Sequence, residues 1–332
     1  WVLFVFFGMS LLQAWMWALL GPLGPSYQKV ADVSDNQINA FVIWGNAAAL
    51  VVAFPAWYLQ GTEGNFRWAF LLSMGAVFLG AVLRLFTYNN DGLTFALYNV
   101  SFVLNGCAGQ VAMTGGTRLA QSFFPLSERV MAVAVSTEAN AVGQAASYIF
   151  GPLLVPDTDA AEDVARDLQR YNWICFSLCA LCTLCAFAYF PSKPPTAPTL
   201  SAEDRGRAMA RYDFVEFCSE VRQILSNRSL LVLFVPFGLV TGLAASLSAN
   251  LPQVLKPQIT QTQAGLIAFF GTVIGNIGGV LVGILVDRFK IHKSLIVWLT
   301  AAAAAALLEV VLVVSGVIPG LSDWDMQGAG NV

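Results

Sequence analysis

Nine apolar runs dominate the sequence, and each is close to the length, about 20 residues, at which a helix crosses a bilayer. Inside the hydrocarbon core every backbone polar group must be satisfied by the protein itself, which limits spanning structures to helices and closed barrels. Barrel strands are short and alternate between apolar and polar residues, unlike these runs. We therefore predict an all-α, multi-pass membrane protein with spans at residues 1–20, 38–59, 68–86, 93–119, 127–154, 173–190, 229–251, 264–286 and 294–317.

The overall composition agrees with a membrane protein. Hydrophobic residues make up 57% of the chain and charged residues 11%, whereas a soluble domain is roughly half apolar and a quarter charged. The net charge of −3 does not favour nucleic acid as a partner. We expect the lipid bilayer, and not a nucleic acid, to surround or contact this chain.

The cysteines and the single histidine do not indicate a metal or cofactor site. Four of the six cysteines (Cys175, Cys179, Cys182 and Cys185) lie in one apolar run. Their spacing places them near one helical face, where a metal site and small packing thiols are the two alternatives. Neither histidine nor carboxylate accompanies them in that run, so we expect packing, no metal and no cofactor.

Lysine and arginine residues indicate which side of the membrane each loop faces. With a cytoplasmic N-terminus, twelve of the 17 basic residues fall on the cytoplasmic side and five on the other. Basic residues accumulate on the cytoplasmic side of membrane proteins. We therefore predict a six-span bundle over residues 1–190, a cytoplasmic linker over 191–228 and three further spans within 229–332.

Part of the linker has the pattern of an amphipathic helix. In "SAEDRGRAMARYDFVEFCSEVRQIL", one side would carry Met209, Phe214, Phe217, Val221 and Ile224. A helix of this kind lies on the membrane surface. The alternative is a solvated tether with no more than a short helical turn.

A cluster of charges separates the last two apolar runs. In "GGVLVGILVDRFKIHKSLIV", Gly283 precedes four charged residues that begin with Asp287 and Arg288. This spacing resembles the loop signature of the major facilitator superfamily, whose transporters alternate access to a central site between two halves. The resemblance implies that Gly283, Asp287 and Arg288 form a conformational latch. The alternative is that the charges only fix the topology, and the first half has Gln60 where an aspartate is expected.

Four other segments resemble solute carrier family 49 within that superfamily: "QAWMWALLGPLGPS", "FPAWYLQ", "RLAQSFFPLSERVMAVAVS" and "FGPLLVP". Members have twelve helices, so the resemblance implies that about nine of them are present here and that the second bundle is incomplete. It also implies an integral protein of the plasma or lysosomal membrane. Independently of the resemblance, a monomer is the simplest assembly to expect.

The function implied by this resemblance is secondary transport of a small organic solute by alternating access. An amine-bearing, vitamin-like or haem-type solute would fit the family. The alternative is a non-transporting membrane receptor or scaffold with the same fold. The chain lacks the HExxH and GxSxG patterns of hydrolases, so we do not expect an enzyme.

Polar side chains at membrane depth are costly, which makes them the candidates for a solute site. Gln13 and Trp17 lie four residues apart and share a helical face, as do Asn140 and Gln144, while Gln110 begins a polar stripe in the fourth span. The resemblance implies that Trp17, Gln110 and Asn140 contact the solute, and an aromatic ring such as Trp17 attracts cations. The alternatives are an interface anchor for Trp17 and interhelical hydrogen bonds for the amides.

Glu138 is the acidic candidate for ion coupling. It lies in the fifth span, about 16 Å from the start of that span at 1.5 Å per residue, and therefore near the middle of the bilayer. A carboxyl group at that depth is a candidate carrier of a coupling proton. The alternative is a neutral acid that is hydrogen-bonded to a neighbouring helix.

Overall fold

The computed structural model describes residues 1–31, 33–61, 65–86, 91–156, 160–192, 194, 213–254, 260–289 and 292–314. These residues contain helices and turns but no strand, which confirms the predicted all-α class. Eleven helices are described: α1 (Val2–Ala18), α2 (Leu20–Ala31), α3 (Asp35–Gly61), α4 (Asn65–Arg84), α5 (Asp91–Phe123), α6 (Arg129–Leu154), α7 (Ala161–Ala188), α8 (Phe214–Ser226), α9 (Arg228–Val254), α10 (Gln261–Phe289) and α11 (His292–Val314).

The first span is a bent pair of helices that extends further than the sequence predicts. The axes of α1 and α2 differ by 50°, and α2 continues to Ala31 although the span was expected to end at residue 20. Pro22 has no N–H group to donate to the Ala18 carbonyl, so the chain can bend there without losing a hydrogen bond at that position. Pro22 also falls in the first turn of α2, where proline is tolerated because those N–H groups lack helical acceptors.

The helix of the sixth span also begins earlier than predicted, at Ala161 instead of residue 173. Its first turn is acidic, which is favourable at the positive end of the helix dipole. Asp163 pairs with Arg166 at 2.9 Å. Three apolar side chains on one face are fully buried: Val164, Leu168 and Tyr171. Residues 161–172, which precede the predicted sixth span, are therefore an amphipathic extension of α7.

Close backbone approaches hold the first seven helices together. Helix α1 contacts α4, α5, α6 and α7. A Cβ atom on Gly143 of α6 would lie 2.1 Å from the carbonyl oxygen of Leu11 in α1. A Cβ atom on Gly106 of α5 would lie 2.1 Å from the carbonyl oxygen of Gly45 in α3. Glycine is required at both positions, as is common where membrane helices pack closely.

The amphipathic helix expected in the linker is present as α8. The carboxylate of Asp213 caps it by accepting a hydrogen bond from the Glu216 N–H group at 2.8 Å. Phe217 is buried, and its ring meets that of Tyr58 near the end of α3 at a centroid distance of 5.6 Å. Met209 lies outside the described residues. The structure thus favours the helical alternative over a solvated tether for Phe214–Ser226.

Helices α9 and α10 meet the first seven helices through α2 and α6. Gln261, at the start of α10, accepts a hydrogen bond from Ser26 Oγ (2.9 Å) and donates one to the Val155 carbonyl (3.1 Å). All three residues are buried. One turn later, a Cβ atom on Gly265 would lie 2.6 Å from the Tyr148 carbonyl oxygen. We call this contact the Gln261 end.

Beyond Gly265, α10 separates from α6. Between residues 266 and 282, no side chain that the structure describes is buried. Gly271 and Gly275 would have nothing within 4 Å of an added Cβ atom. Met131 and Glu138, on the corresponding half of α6, are exposed. The two groups of helices therefore meet at the Gln261 end and stand apart at the opposite end, which we call the open end.

Several of these helices meet the requirements for membrane spans. In the described part of the chain, three are long and apolar enough individually: Asn36–Gly61, Asn65–Arg84 and Ala161–Ala188. Two bent pairs, α1 with α2 and α8 with α9, qualify when each pair is taken as one span. Each of the nine predicted runs overlaps a helix of the structure.

Candidate functional site

Four side-chain amides from three helices form a connected cluster, which we call the amide cluster. Gln13 of α1 donates from Nε2 to the Asn105 carbonyl of α5 (3.4 Å), and Asn105 Nδ2 donates to the Gln13 carbonyl (3.2 Å). Asn140 of α6 donates to Gln13 Oε1 at 3.4 Å. Gln144 donates to Asn140 Oδ1 at 2.8 Å. Three of the predicted site residues, Gln13, Asn140 and Gln144, are thus in one hydrogen-bonded chain.

Small residues allow the three helices to bring these amides together. A Cβ atom on Gly109 of α5 would lie 3.1 Å from Gln13 Nε2, and Gly143 permits the approach of α6 to α1. Gln13 is 5% exposed and Asn105 is 2% exposed, while Asn140 and Gln144 are half-buried. The cluster therefore runs from the buried interior of the bundle to a partly exposed surface.

Trp17 packs inside the bundle, one helical turn from Gln13. Its ring lies against the backbone of Gly45 in α3, where a Cβ atom would be 2.7 Å from Trp17 Cζ3. Its centroid is 5.9 Å from that of Phe102 in α5, with the rings tilted by 58°. Trp17 is half-buried. Contacts with two neighbouring helices do not fit an anchor that serves only the membrane interface.

Gln110 directly follows Gly109 in α5, and its side chain is half-buried. No hydrogen bond joins its side-chain amide to any residue that the structure describes, although its backbone carbonyl accepts one from Thr114 Oγ1 at 2.6 Å. Thr114 is in turn bonded to Gln60 of α3 (Gln60 Nε2 to Thr114 Oγ1, 3.0 Å). Gln60, which replaces the aspartate expected in the first half, therefore joins α3 to α5.

The remaining candidates lie away from the amide cluster. Glu138 is exposed on α6. The backbone of Gly283 and Asp287 is helical within α10, but their side chains fall outside the described part of the structure. Arg288 is exposed near the end of α10. The three proposed latch residues are thus near the open end, and their mutual contacts stay a prediction.

Three residues near the site were not singled out by the sequence analysis. Asn105 could have been found as an amide at membrane depth in the same span as Gln110, although no polar stripe begins at it. Phe102 carried no such signal, because aromatic residues are frequent in membrane spans. Arg84 was counted only as a basic residue for topology, yet it is fully buried.

A separate groove of about 850 Å³ lies between α3 and α8. Its lining is mostly apolar and includes Phe54, Tyr58, Phe217 and Val221. None of the amide-cluster residues lines it. We place the candidate solute site at the amide cluster, because it combines several convergent, partly exposed polar groups with the nearby ring of Trp17.

Cysteines of α7 pack against α1. Cys175 and Cys179 are buried. A Cβ atom on Gly8 would lie 2.8 Å from Cys182 Sγ, so this thiol fills the space left by a glycine. Among the described residues, no group of three or more histidine, cysteine or acidic side chains is arranged to hold a metal ion.

Comparisons with known proteins agree with the arrangement of helices. The model of the Major Facilitator Superfamily matches residues 6–324. A solute carrier family 49 member 4 homolog of Xenopus tropicalis is 26% identical over 315 residues, which cover 91% of this chain and 67% of that protein. The choline/ethanolamine transporter FLVCR1 of Felis catus is 26% identical over 301 residues, covering 88% of this chain and 52% of that protein.

Solved structures show the same fold. The xylose transporter XylE from E. coli, in a partially occluded inward open conformation, superimposes with a TM-score of 0.60 at 16% identity. The match covers 87% of this chain and 71% of that chain. Across these curated relatives, the present chain spans between about half and two-thirds of their length.

Proposed function

Because the chain belongs to the major facilitator superfamily, we propose that it moves a small organic solute across a membrane by alternating access. It is an integral, multi-pass membrane protein that resembles solute carrier family 49. A secondary transporter, and not an enzyme, is the class that this family supports. The solute, the residues that bind it and the membrane concerned are the parts of the proposal that follow.

The amide cluster is the observation that carries the proposal. Burying an amide without a hydrogen-bond partner costs about 1–3 kcal/mol, so several amides inside an apolar bundle need a reason to be there. Here they link α1, α5 and α6 and extend from buried Gln13 to half-buried Gln144. Helix α6 is also the helix that meets α10 at one end only, so the cluster lies beside the surface that would change during transport.

The chemistry of the site favours a small polar solute. One part of that solute would be a cation or a flat group that can pack on the ring of Trp17. The cluster consists of neutral amides, which both donate and accept hydrogen bonds and therefore suit hydroxyl or amine groups. Trp17 adds an aromatic face, which attracts a cation by about 0.5–2 kcal/mol. Gln110, whose amide is not engaged by the described residues, would hold the polar end of the solute. Some relatives are named choline/ethanolamine transporters, and an amine-bearing or vitamin-like solute fits the same chemistry.

The predicted topology indicates which side of the membrane each end of the α6–α10 surface faces. With a cytoplasmic N-terminus, the Gln261 end faces away from the cytoplasm and the open end faces it. We propose that residues 1–190 form the first half of the transporter, 191–228 a cytoplasmic linker and 229–332 part of the second half. Gly283, Asp287 and Arg288 would then form a latch that closes the cytoplasmic side, and Glu138 would carry a coupling proton.

Uptake by proteoliposomes that contain the protein tests this function. We expect saturable uptake of at least one of labelled choline, ethanolamine and pyridoxine. Asn140→Ala should lower that uptake about tenfold, because it removes the link between Gln13 and Gln144. Thr137→Ala is the matched control, since Thr137 is exposed on the same helix and, among the described residues, donates its hydroxyl to the Val133 carbonyl alone.

A receptor or scaffold is the competing function. It would bind one of these solutes with Asn140-dependent affinity and yet give no uptake above that of empty liposomes. Equal uptake by the Asn140→Ala and Thr137→Ala variants would instead contradict the assignment of the site.

A further inference from the structure

Arg84 is the largest side chain among those fully buried in the described structure. It ends α4, within the bundle of the first seven helices. Burying a guanidinium costs several kcal/mol unless hydrogen bonds and favourable electrostatics offset the loss of water. The contacts of Arg84 therefore indicate what this position does.

One set of contacts joins Arg84 to the break in the first span. Its Nη1 donates to the carbonyl of Met16 at 3.1 Å, and its Nε donates to Ser101 Oγ of α5 at 2.8 Å. Met16 lies in the last turn of α1, where carbonyl groups lack intrahelical donors and the helix dipole is negative. A cation at that place both satisfies a free carbonyl and is attracted by the dipole. Arg84 thus caps α1 from another helix, just before the 50° bend.

A second set of contacts joins Arg84 to the aromatic ring beside Trp17. Its Cζ atom lies 4.7 Å from the centroid of the Phe102 ring, within the range of a cation–π interaction. Phe102 packs against Trp17 at 5.9 Å and is stacked on Phe41 at 5.9 Å. The same guanidinium therefore fixes the backbone that precedes Trp17 and the ring on which Trp17 rests.

We infer that Arg84 is a positioning residue, which sets the bend between α1 and α2 and the orientation of the Trp17 ring towards the solute. This inference rests on the proposed function, because Trp17 is taken as a solute contact. The planar fork of arginine reaches Met16 and Ser101 together, whereas a lysine ammonium is a single point charge on a flexible stem. Arginine is therefore the residue type that serves both contacts at once.

The bend can be measured without transport. Spin labels at Phe4→Cys and Lys29→Cys, both exposed, in a chain with its native cysteines replaced, report the distance across the bend. Arg84→Met should lengthen that distance by about 3 Å as the two segments straighten, given a rise of 1.5 Å per residue. Arg67→Met, which removes an arginine from the other end of α4, should leave it unchanged. An unchanged distance in Arg84→Met would overturn the inference.

The coupling to Trp17 is measured by uptake of labelled choline in four proteins: wild type, Arg84→Met, Trp17→Ala and the double variant. Arg84→Met should raise KM about tenfold with little change in the maximal rate, and Arg84→Lys should recover part of this loss. In the Trp17→Ala background the same substitution should raise KM less than about twofold, because the ring it positions is absent.

The outcomes separate this inference from the proposed function. Independent, multiplicative effects of Arg84→Met and Trp17→Ala would overturn the positioning role even if uptake is confirmed. If uptake occurs but Trp17→Ala leaves KM unchanged, the solute contact at Trp17 is wrong, and the spin-label distance alone decides whether Arg84 sets the bend.

Discussion

The two ends of the surface between α6 and α10 differ in how closely the helices pack. At the Gln261 end, Gln261 bridges Ser26 and Val155, and Gly265 lets α10 touch the backbone of Tyr148. At the open end, the same two helices stand apart and expose Glu138 on α6. Contact at one end and separation at the other is the geometry that alternating access requires of a single conformation.

The presence of glycines does not by itself explain why α10 packs closely at the Gln261 end and not at the open end. Gly271, Gly275 and Gly279 follow one another at four-residue intervals on α10, a spacing that favours close helix packing in membranes. These glycines have nothing within 4 Å of an added Cβ atom, whereas Gly265 does. Among the described glycines of α10, only Gly265 is therefore engaged in a close backbone contact. The contact at Gly265 joins α10 to the first seven helices, whereas the Gly143–Leu11 contact lies within those seven helices. We therefore expect the contact at Gly265 to be the one that is exchanged during transport.

The largest effect is expected where a contact cannot be exchanged. Gly143→Val would place side-chain atoms within the radius of the Leu11 carbonyl oxygen, since a Cβ alone would be 2.1 Å from it. Neither backbone can move without separating α1 from α6, so we expect a loss of about 3 kcal/mol or more of folding free energy. Fluorescence-detected size-exclusion chromatography should show little folded protein.

Gly75→Val is the matched control for this prediction. Gly75 is in α4 of the same bundle, and an added Cβ atom would have nothing within 4 Å. The variant should give a normal folded peak. Equal yields for the two variants would contradict the distinction between tight and open glycines.

The second effect concerns the exchangeable contact. Gly265→Val should leave the protein folded but prevent closure at the Gln261 end, because its Cβ would lie 2.6 Å from the Tyr148 carbonyl oxygen and 2.7 Å from Pro152 Cγ. Val155→Cys, buried in the closed contact, reports this opening. A membrane-impermeant maleimide added on the non-cytoplasmic side should label it about tenfold faster in the Gly265→Val background.

Gly238→Val controls for the added bulk in an apolar span, because an added Cβ on Gly238 of α9 meets nothing within 4 Å. The Gly238→Val variant that also carries Val155→Cys should be labelled at the same rate as the protein that carries Val155→Cys alone. Slow labelling in both variants would mean that the Gln261 end does not open when its close contact is blocked.

A smaller shift is expected from the hydrogen bonds at the same end. Gln261→Ala leaves the buried Ser26 hydroxyl and Val155 carbonyl without their partner, which costs about 1–3 kcal/mol in the closed contact. The population with this end open should rise, and Val155→Cys should be labelled several-fold faster. Thr262→Ala, at an exposed neighbouring position, should not change the rate. Identical rates for the two variants would show that the bridge does not stabilise closure.

The sequence predicted the fold well because its strongest signal is physical and local. Apolar runs of membrane-spanning length appear as helices, and the amphipathic pattern around Phe217 appears as α8. The limits of helices were less predictable. The first span was predicted to end at residue 20, but α2 continues to Ala31, because a proline in the first turn of a helix is tolerated. The start of α7 precedes the predicted span because residues 161–172 are mostly polar and charged, although Val164, Leu168 and Tyr171 have helical spacing and are buried.

Most residues of the candidate site could be predicted individually from the sequence, but the hydrogen bonds that join them across helices could not. Helical spacing grouped Gln13 with Trp17 and Asn140 with Gln144, because both pairs are local. The bonds from Gln13 to Asn105 and Asn140 join positions that are 92 and 127 residues apart. Such contacts depend on how closely the helices approach one another. That distance is set by glycines in three different helices. Arg84 shows the same limit, since only tertiary structure reveals its approach to Met16.

The smallest effect on uptake is expected from a substitution at Glu138. This substitution tests whether the open end closes during transport or is a surface that stays in water. Glu138, Tyr148 and Pro152 lie on one face of α6, because steps of three and four residues connect them through positions 141 and 145. Tyr148 and Pro152 contact α10 at Gly265. Glu138 therefore lies on the face that turns towards α10, at the height where the helices are apart. Closure of the open end would bring it against an apolar helix, where a charged carboxylate is unfavourable.

Glu138→Gln should therefore flatten the pH dependence of uptake while changing its maximal rate by no more than about twofold. The amide has the shape of the protonated acid and carries no charge, so closure of the open end would no longer require a proton. Uptake of the labelled solute is measured across acidic to neutral pH for wild type, Glu138→Gln and the neighbouring control Thr137→Ala, whose profile should match that of wild type. If closure needs a neutral side chain at this position, the wild-type rate falls as the pH rises and the Glu138→Gln rate stays constant. A Glu138→Gln profile that follows the wild type would mean that Glu138 stays in water throughout the cycle and that the proton is not carried at this place.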